Sequence, residues 1–484
     1  MIVGPLARYR RRKVALLEPG WRTLRVRAEW TDRTYTGRRA IEAVLRKLST
    51  EQAVCYVSLG LSEMRRTTSA TDWRLSLWRG RAVSITYLPT GLNVRSLRGT
   101  LGASEDPYRD LMVALAWIGD RGVEAKSLPA MAWDLWRSTL SEPVRLGADP
   151  QLGHAALFGG RQAAEPGAYW HSALWDIRSA YPTAMASRPV ATSLREVSPA
   201  TRLDFDTPGL ITGTVFVPPD LPYAPLPVRE GQRIVSYPVG PVSGTWTWRE
   251  AKAATMLGCE LSVDTCYAPR REVDLFGPWW ETMQAGRAIP GPAGSMMKAI
   301  SNSLWGQFAL RGEGGVHVYW SDDAGESPID EPRPDRNLPH HYTAHIAAEI
   351  SSRVRVQTLL EGMYESEAVQ HVDTDGIIAS RLSDGPVNQG DAPGQWRIKE
   401  EVHELEVLAP QLYRYTRDTQ PGVWHYVAAG MSEQGAWEAF RERQGHRSAV
   451  TVLSIDDVTI PTYVATDREA RWRLIHEAAL EGLT

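Results

Sequence analysis

Short apolar runs alternate along this chain with stretches whose apolar positions recur every three to four residues, the pattern of a mixed α/β protein. In the first 155 residues, Ala53-Val54-Cys55-Tyr56-Val57 and Ala82 to Tyr87 predict strands, and Tyr108 to Ile118 predicts a helix. A Gly/Ala/Pro-containing stretch from Ala163 to Ala168 reads as a linker, followed by a strand from Ser172 to Asp176. Residues 190 to 245 are rich in proline and glycine, which predicts short strands and loops. Helices follow at Trp248 to Leu257, at Trp279 to Arg287 and after Ser295, with Pro290 and Pro292 breaking the chain between the last two. The polar, Pro-rich segment from Gly312 to Asn337 reads as an inserted loop or hairpin, and Tyr342 to Tyr364 as a long helix. Two short strands, Val369 to Val372 and Gly376 to Ala379, then flank a tight acidic turn. There is no internal repeat.

Composition narrows the class. A chain of 484 residues with 43% hydrophobic and 23% charged residues is long enough for several ordinary globular domains. No stretch approaches the ~20 apolar residues of a membrane span, and the N-terminus has no apolar core behind its charges. Cys55, Cys259 and Cys266 have neither zinc-ligand spacing nor a disulfide framework, so a reducing, cytoplasmic setting without a membrane is expected. The net charge of −3 argues mildly against nucleic acid, yet a binding groove needs only local positive charge. Arg8, Arg10, Arg11, Arg12 and Lys13 crowd around Tyr9, either as a solvated arm or as a contact for phosphate or a partner.

Three motifs carry chemistry. Asp176-Ile-Arg-Ser-Ala-Tyr181-Pro182 closes a strand. Lys298-Ala-Ile-Ser-Asn302-Ser-Leu-Trp305-Gly306 lies on a helix, where Lys298, Asn302 and Trp305 share one face. His371-Val-Asp373-Thr-Asp375-Gly376 forms a strand–turn–strand. Phosphoryl transfer to a 3′-hydroxyl calls for two divalent ions ~3.5–4 Å apart, held by carboxylates. Asp373 and Asp375 supply half of such a site, and Asp176 the other half if its strand lies alongside. A cation, an amide and a flat ring on one helical face suit a triphosphate, a base edge and a base plane. Arg287, on the preceding helix, offers a second phosphate contact. Taken singly, each motif is weak; an Asp-x-Asp is usually just a solvated turn. The order of all three is specific.

In that order the motifs resemble those of family B DNA polymerases, Dx₂SLYP, Kx₃NSxYG and YxDTDS. Leu157-Phe158-Gly159-Gly160 resembles the YxGG segment joining exonuclease and polymerase domains, most familiar from the protein-primed branch of phages and mobile elements. Pro410-Gln411-Leu412-Tyr413 stands where the family's KxY segment grips the primer end. The resemblance covers roughly residues 155 to 430 and implies an α/β (α+β) right-hand polymerase preceded by a degenerate RNase H-like exonuclease-type domain. Its parts would be an N-terminal domain over 1–155, linker and first palm motif over 156–190 and palm with insertion over 191–265. Fingers would occupy 266–310, palm with a small insertion 311–430 and a short thumb 431–484. Asp176 and Asp373 would be ligands for two Mg²⁺ ions (or Mn²⁺), with Asp375 beside them. Tyr181 would exclude a ribose 2′-hydroxyl. Lys298 and Arg287 would bind the incoming dNTP, Asn302 and Trp305 would line the nascent base pair, and Gly159, Gly160, Arg161 and Tyr413 would contact DNA template and primer. The protein-primed branch also implies a terminal or priming protein as partner.

This sequence departs from the pattern at Leu157, Trp305, His371, Gly376 and Gln411, none of which removes a metal ligand. Proofreading is expected to be absent. Glu29 has Arg27 where a partner aspartate belongs, Glu63 stands alone, and Tyr108-Arg-Asp110 is too closely spaced. His340, His341 and His345 read as loop and helix-start histidines, since further zinc ligands at a suitable spacing are not nearby. Two other readings stay open: a primer-independent or loosely templated polymerase, and a catalytically silent nucleic-acid-binding replication module.

Overall fold

The computed structural model describes residues 2–3, 13–20, 23–36, 38–57, 64–66, 73–79, 82–87, 93–96, 100–101, 104–147, 150–198, 207–230, 234–309, 342–382, 384–428, 454–455 and 458–459. The N-terminal arginines, Glu63, the 312–337 insertion, His340, His341 and nearly all of the expected thumb lie outside the described residues. Two compact units are present: 2–144 with 276–304, and 145–275 with 305–484.

In the first unit, Val14–Gly20, Thr23–Ala28 and Thr31–Thr36 form an antiparallel meander. Val54–Val57 joins the first of these in parallel, and Asn93–Ser96 extends the sheet in the same sense. The spatial order is thus third, second, first, fourth, fifth, and only the second strand runs against the rest. Its central strands carry continuous apolar runs, Val14 to Leu17 and Val54 to Tyr56, because both faces are buried. The helix Arg38–Thr50 covers one face with Ile41, Val44, Leu45 and Leu48, an i, i+3, i+4, i+7 stripe. Asp106 caps the helix Pro107–Gly119 by accepting from the Arg109 amide, with proline in the first turn.

The second unit is organised by a seven-stranded sheet. Its strands are β1 (Arg161–Ala164), β2 (Gly167–Ile177), β3 (Val369–Thr374), β4 (Gly376–Ser380), β5 (Trp396–Ala409), β6 (Leu412–Arg417) and β7 (Gln420–Ala428). They lie in the order β1-β3-β4-β2-β5-β6-β7, antiparallel throughout. A second, four-stranded sheet of Val190–Val197, Glu260–Val273, Leu210–Val217 and Gly240–Thr247 packs its own core around Trp246 and Trp248. The helix Ala344–Gln357 is buried along nearly its whole length.

The structure corrects two expectations. The 163–168 linker is almost entirely strand, because Ala163 and Ala164 pair with Val372 and His371 and leave only a short turn before Gly167. The region 190–245 holds the expected short strands, of three to eight residues, with its prolines falling mainly in the connections. The helix expected to reach Tyr364 is α-helical to Gln357 and finishes as a π-helical turn, Thr358–Met363, where Gly362 admits the Trp396 ring.

Candidate active site

The sheet brings two of the three aspartates into one row. Asp176 on β2 stands opposite Gly376 on β4, and Gly376 stands opposite Asp373 on β3. Residues paired in register share a face, so the two carboxylates flank a residue with no side chain. A Cβ at Gly376 would come to 3.0 Å from the Trp175 carbonyl oxygen, which explains glycine where the related motif has serine. Asp375 enters from the turn, its carbonyl accepting from the Ile177 amide at 2.9 Å.

That turn is strained. Thr374 has φ +61, and the Asp375 amide donates to the Asp373 carbonyl at 2.7 Å, closing a γ-turn around a β-branched residue. Three contacts hold Thr374. Thr358 Oγ1 donates to its carbonyl at 3.1 Å, its own hydroxyl donates to Asp373 Oδ1 at 3.3 Å, and Gly160 backs its side chain. A Cβ on Gly160 would lie 2.4 Å from Thr374 Cγ2. The Phe158-Gly159-Gly160 segment is itself tied to the buried helix: Arg355 donates to the Phe158 and Gly159 carbonyls and pairs with Glu250. The glycine pair expected to touch DNA therefore has a prior structural duty, supporting the acidic turn.

Behind Asp373 lies a buried polar cluster. Gln411 Nε2 donates to Asp373 Oδ1 at 3.1 Å, and the Gln411 amide donates to His371 Nε2 at 2.9 Å. An imidazole nitrogen that accepts from an amide is unprotonated, so His371 is neutral here. Burial agrees, pushing its pKa down to about 4 against the pull of Asp373. The Tyr413 ring packs 4.7 Å from His371 and is 7% exposed. Gln411 and Tyr413 thus pack against the strand that carries Asp373.

Asp375 is pushed up to about 7, first by burial and then by the charges of Asp176 and Asp373. A carboxylate raised by burial beside two further carboxylates belongs to a donor set suited to hard divalent cations. Their oxygens do not yet converge as a closed cage. Among the described residues, only His171, His403 and Asp418 bring ligand atoms all within 4.8 Å. The carboxylate of Asp373 is held by Gln411 and Thr374.

Tyr181 begins the short helix Ala180–Ala186, after Ser179 turns the chain at φ +58. Its ring stacks on Trp305, centroids 4.8 Å apart and planes at 18°. Trp305 is 7% exposed, so it backs Tyr181 rather than presenting its own face. Arg353, from the buried helix, donates to the carbonyls of Ala184, Arg188 and Pro189 and so ties down the end of the tyrosine's helix.

In the other unit, Lys298 and Asn302 are both exposed, one turn apart on Pro292–Gln307. Arg287 donates to Ser301 Oγ at 2.8 Å and lies over the Trp280 ring. Arg161 departs from expectation: it is 5% exposed, donates to the Ala224 carbonyl and lies 4.1 Å over the Tyr237 ring. An interior guanidinium does not meet a DNA phosphate, so Arg161 anchors β1 instead.

Sequence reasoning missed Arg353 and Arg355, whose i, i+2 spacing on a helix resembles an ordinary solvated face. It also missed Arg397 and Lys399 on β5. Arg397 pairs in register with Asp176, and Lys399 counteracts the rise at Asp375. Their alternation, Arg397-Ile-Lys399, was the available signal.

In the first unit, Asp110, one of the acids read as exonuclease remnants, already has a partner, as does the neighbouring Asp106. Arg27 Nη1 lies 2.7 Å from Asp106 Oδ1, with its guanidinium 5.4 Å over Tyr108. Ser104 donates to Asp110, and Glu29 is exposed.

The fold thus sets a row of aspartates on one face of an antiparallel sheet. No family model matches the sequence, and no curated protein matches it. Solved structures do. The chain is similar to phi29 DNA polymerase complexed with primer-template DNA, with a TM-score of 0.61 at 12% identity over 94% of this chain and 100% of that one. It is also similar to phi29 DNA polymerase with primer-template DNA and incoming nucleotide substrates (TM-score 0.61, 11% identity, 94% and 100% covered). For phi29 DNA polymerase complexed with single-stranded DNA the TM-score is 0.58 at 11% identity, again over 94% and 100%. At such identities the likeness is one of fold, and the fold is that of family B polymerases. No helix among the described residues is long and apolar enough to cross a membrane.

Proposed function

We propose that this protein is a DNA-dependent DNA polymerase that adds deoxynucleoside monophosphates to a 3′-hydroxyl and releases pyrophosphate. One observation carries the reading: Asp176 and Asp373 flank the bare Gly376 in one row of a sheet whose fold is shared with phi29 DNA polymerase. Asp176 and Asp373 would hold two Mg²⁺ ions, or Mn²⁺, with Asp375 alongside. Bound there, the ions supply activation of the 3′-hydroxyl and neutralisation of the departing phosphates. Gln411 and Thr374 orient the Asp373 carboxylate. Tyr181, stiffened by its stack on Trp305, limits room at the sugar. Lys298 and Arg287 take the triphosphate, and Asn302 the base edge.

On this reading the seven-stranded sheet is the palm, the 276–304 helices belong to the fingers and the chain after 431 is the thumb. The N-terminal sheet, with its 3-2-1-4-5 order, is an RNase H-like domain that has lost exonuclease function, because Arg27 supplies the charge that a metal would. Priming by a terminal protein is the finer proposal, supported by the Phe158-Gly159-Gly160 segment and its link to the acidic turn.

The test is extension on a single-stranded template with Mg²⁺, with and without a DNA primer, and with any co-encoded protein added. Metal-dependent, template-directed extension is expected, along with nucleotide linked covalently to the added protein. If neither primer nor protein is extended while DNA still binds, the protein is a silent binding module.

A further inference from the structure

A second group of metal-binding side chains lies on the seven-stranded sheet, away from the three aspartates. His171 on β2, His403 on β5 and Asp418 in the turn from β6 to β7 each bring one ligand atom within 4.8 Å of the other two. His171 precedes Asp176 by five residues, ~16 Å along a strand. Each of the three sits at a backbone irregularity. His171 has φ +54 inside β2, just where pairing with β4 begins at Ser172. Across from it, β2 pairing with β5 passes from Trp170–Glu404 to Ser172–Val402, which sets His403 opposite His171. On its other side His403 is skipped, as β5 pairing with β6 steps from Val402 to Glu404. Asp418 is fixed in its turn by an amide bond of 3.2 Å to the Glu401 carbonyl.

The side chains are close without satisfying one another. The two imidazoles meet edge-on, centroids 5.6 Å apart, and His403 Nδ1 stays 3.7 Å from Asp418 Oδ1. Arg381 holds Asp418 Oδ2 and also donates to Glu401 at 3.2 Å. Asp418 Oδ1 is buried and has no donor. The carboxylate is thus oriented through one oxygen and offers the other to the histidines, the arrangement in which an outer partner aims a ligand.

We propose that His171, His403 and Asp418 bind one Zn²⁺ ion. Two imidazoles and a carboxylate are borderline nitrogen and oxygen donors that suit zinc, whereas magnesium favours an all-oxygen set. Ligand atoms ~2.0–2.1 Å from a tetrahedral ion stand about 3.4 Å apart, close to the 3.7 Å seen between His403 and Asp418. The exposed edge of His171 leaves the fourth position to water. The ion links β2, β5 and the β6–β7 turn. The proposal does not depend on the polymerase reading.

The experiment uses the full chain, stripped with a chelator and then given Zn²⁺ in the presence of excess Mg²⁺. Metal content after gel filtration and thermal unfolding are both read. One zinc per chain and a raised Tm are expected. His171→Gln, which alters an exposed residue, should weaken zinc binding by more than about 100-fold, and His171→Gln/His403→Gln should abolish it. Arg381→Ala should weaken it about 10-fold. Zinc that stays stoichiometric in both histidine variants, or that is lost in Asp176→Asn/Asp373→Asn instead, overturns the assignment. So does a parent protein that binds none.

Discussion

The protein contains two groups of carboxylates that look alike in the sequence and differ in what neutralises them. On the seven-stranded sheet, Asp375 is raised by burial and by the charges of Asp176 and Asp373, and the Asp373 carboxylate is met by neutral donors, Gln411 and Thr374. On the N-terminal sheet, Asp106 is bridged by Arg27, Asp110 accepts from Ser104, and Glu29 is exposed. A like-charge cluster is costly unless cations offset it, and Arg397 opposite Asp176 and Lys399 near Asp375 leave Asp375 still raised, so a bound cation would be favoured. An acid already paired with arginine has no such need. The two groups differ in their surroundings: Asp375 faces two further carboxylates, whereas Asp106 faces a guanidinium and Asp110 a hydroxyl.

Removing one charge from the bare cluster should have the largest effect. Asp373→Asn or Asp176→Asn is expected to lower the extension rate by at least about 1,000-fold, ~4 kcal/mol of barrier, while DNA binding changes little. Near-normal extension at saturating Mg²⁺ would break the comparison at its root. Lys298→Ala should reduce kcat/KM for dNTP by ~10–100-fold, because a charged donor to the triphosphate is worth about 1.5–3 kcal/mol. Arg287→Ala should act in the same direction but less, since its guanidinium is shared with Ser301 and Trp280. Tyr181→Val should shift the ratio of ribo- to deoxynucleotide kcat/KM by roughly 10-fold or more toward ribonucleotides, as opened space in a pocket is worth about 1–3 kcal/mol. An unchanged ratio removes Tyr181 from the sugar position.

The N-terminal group gives the opposite expectation. Purified protein with Mg²⁺ and a 3′-mismatched primer, without dNTPs, should leave the mismatch in place. Removal that survives Asp373→Asn and disappears with Glu29→Ala would mean that Arg27 does not substitute for a metal. A further expectation concerns pH. His345 is buried, bonds to the Ala191 carbonyl through Nε2 at 3.0 Å, and has its pKa pushed down to about 4 by burial. The unfolded chain, titrating near ~6.5, binds more protons between those values, so stability falls as pH drops from ~6.5 to 4 and is level above. The contribution is on the order of 3 kcal/mol at its limit, and His345→Gln should flatten the slope by about one proton in denaturant titrations.

Much of the site was legible in the linear order of residues. Two aspartates around a threonine, between two apolar strands, specify a hairpin with acids at its tip, whatever surrounds it. Lys298 and Asn302 one turn apart specify an exposed polar helix face, which the structure has. These are local properties, set by the two-residue repeat of strands and the 3.6-residue repeat of helices. The sequence alone also carried the ordered motifs that resemble family B polymerases, and the fold agrees. Tertiary structure decided the rest, because it depends on register and burial between distant segments. Only strand pairing could set Asp176 level with Asp373 across Gly376. Only packing could turn Arg161, Arg353 and Arg355 inward, where their charges hold carbonyls and a carboxylate. Gly160 looked like a DNA contact, but its missing Cβ makes room for Thr374, more than 200 residues away in the chain. A side chain's neighbours across the fold, and not its own chemistry, determine whether an arginine meets phosphate or backbone and whether an aspartate meets a metal or a guanidinium.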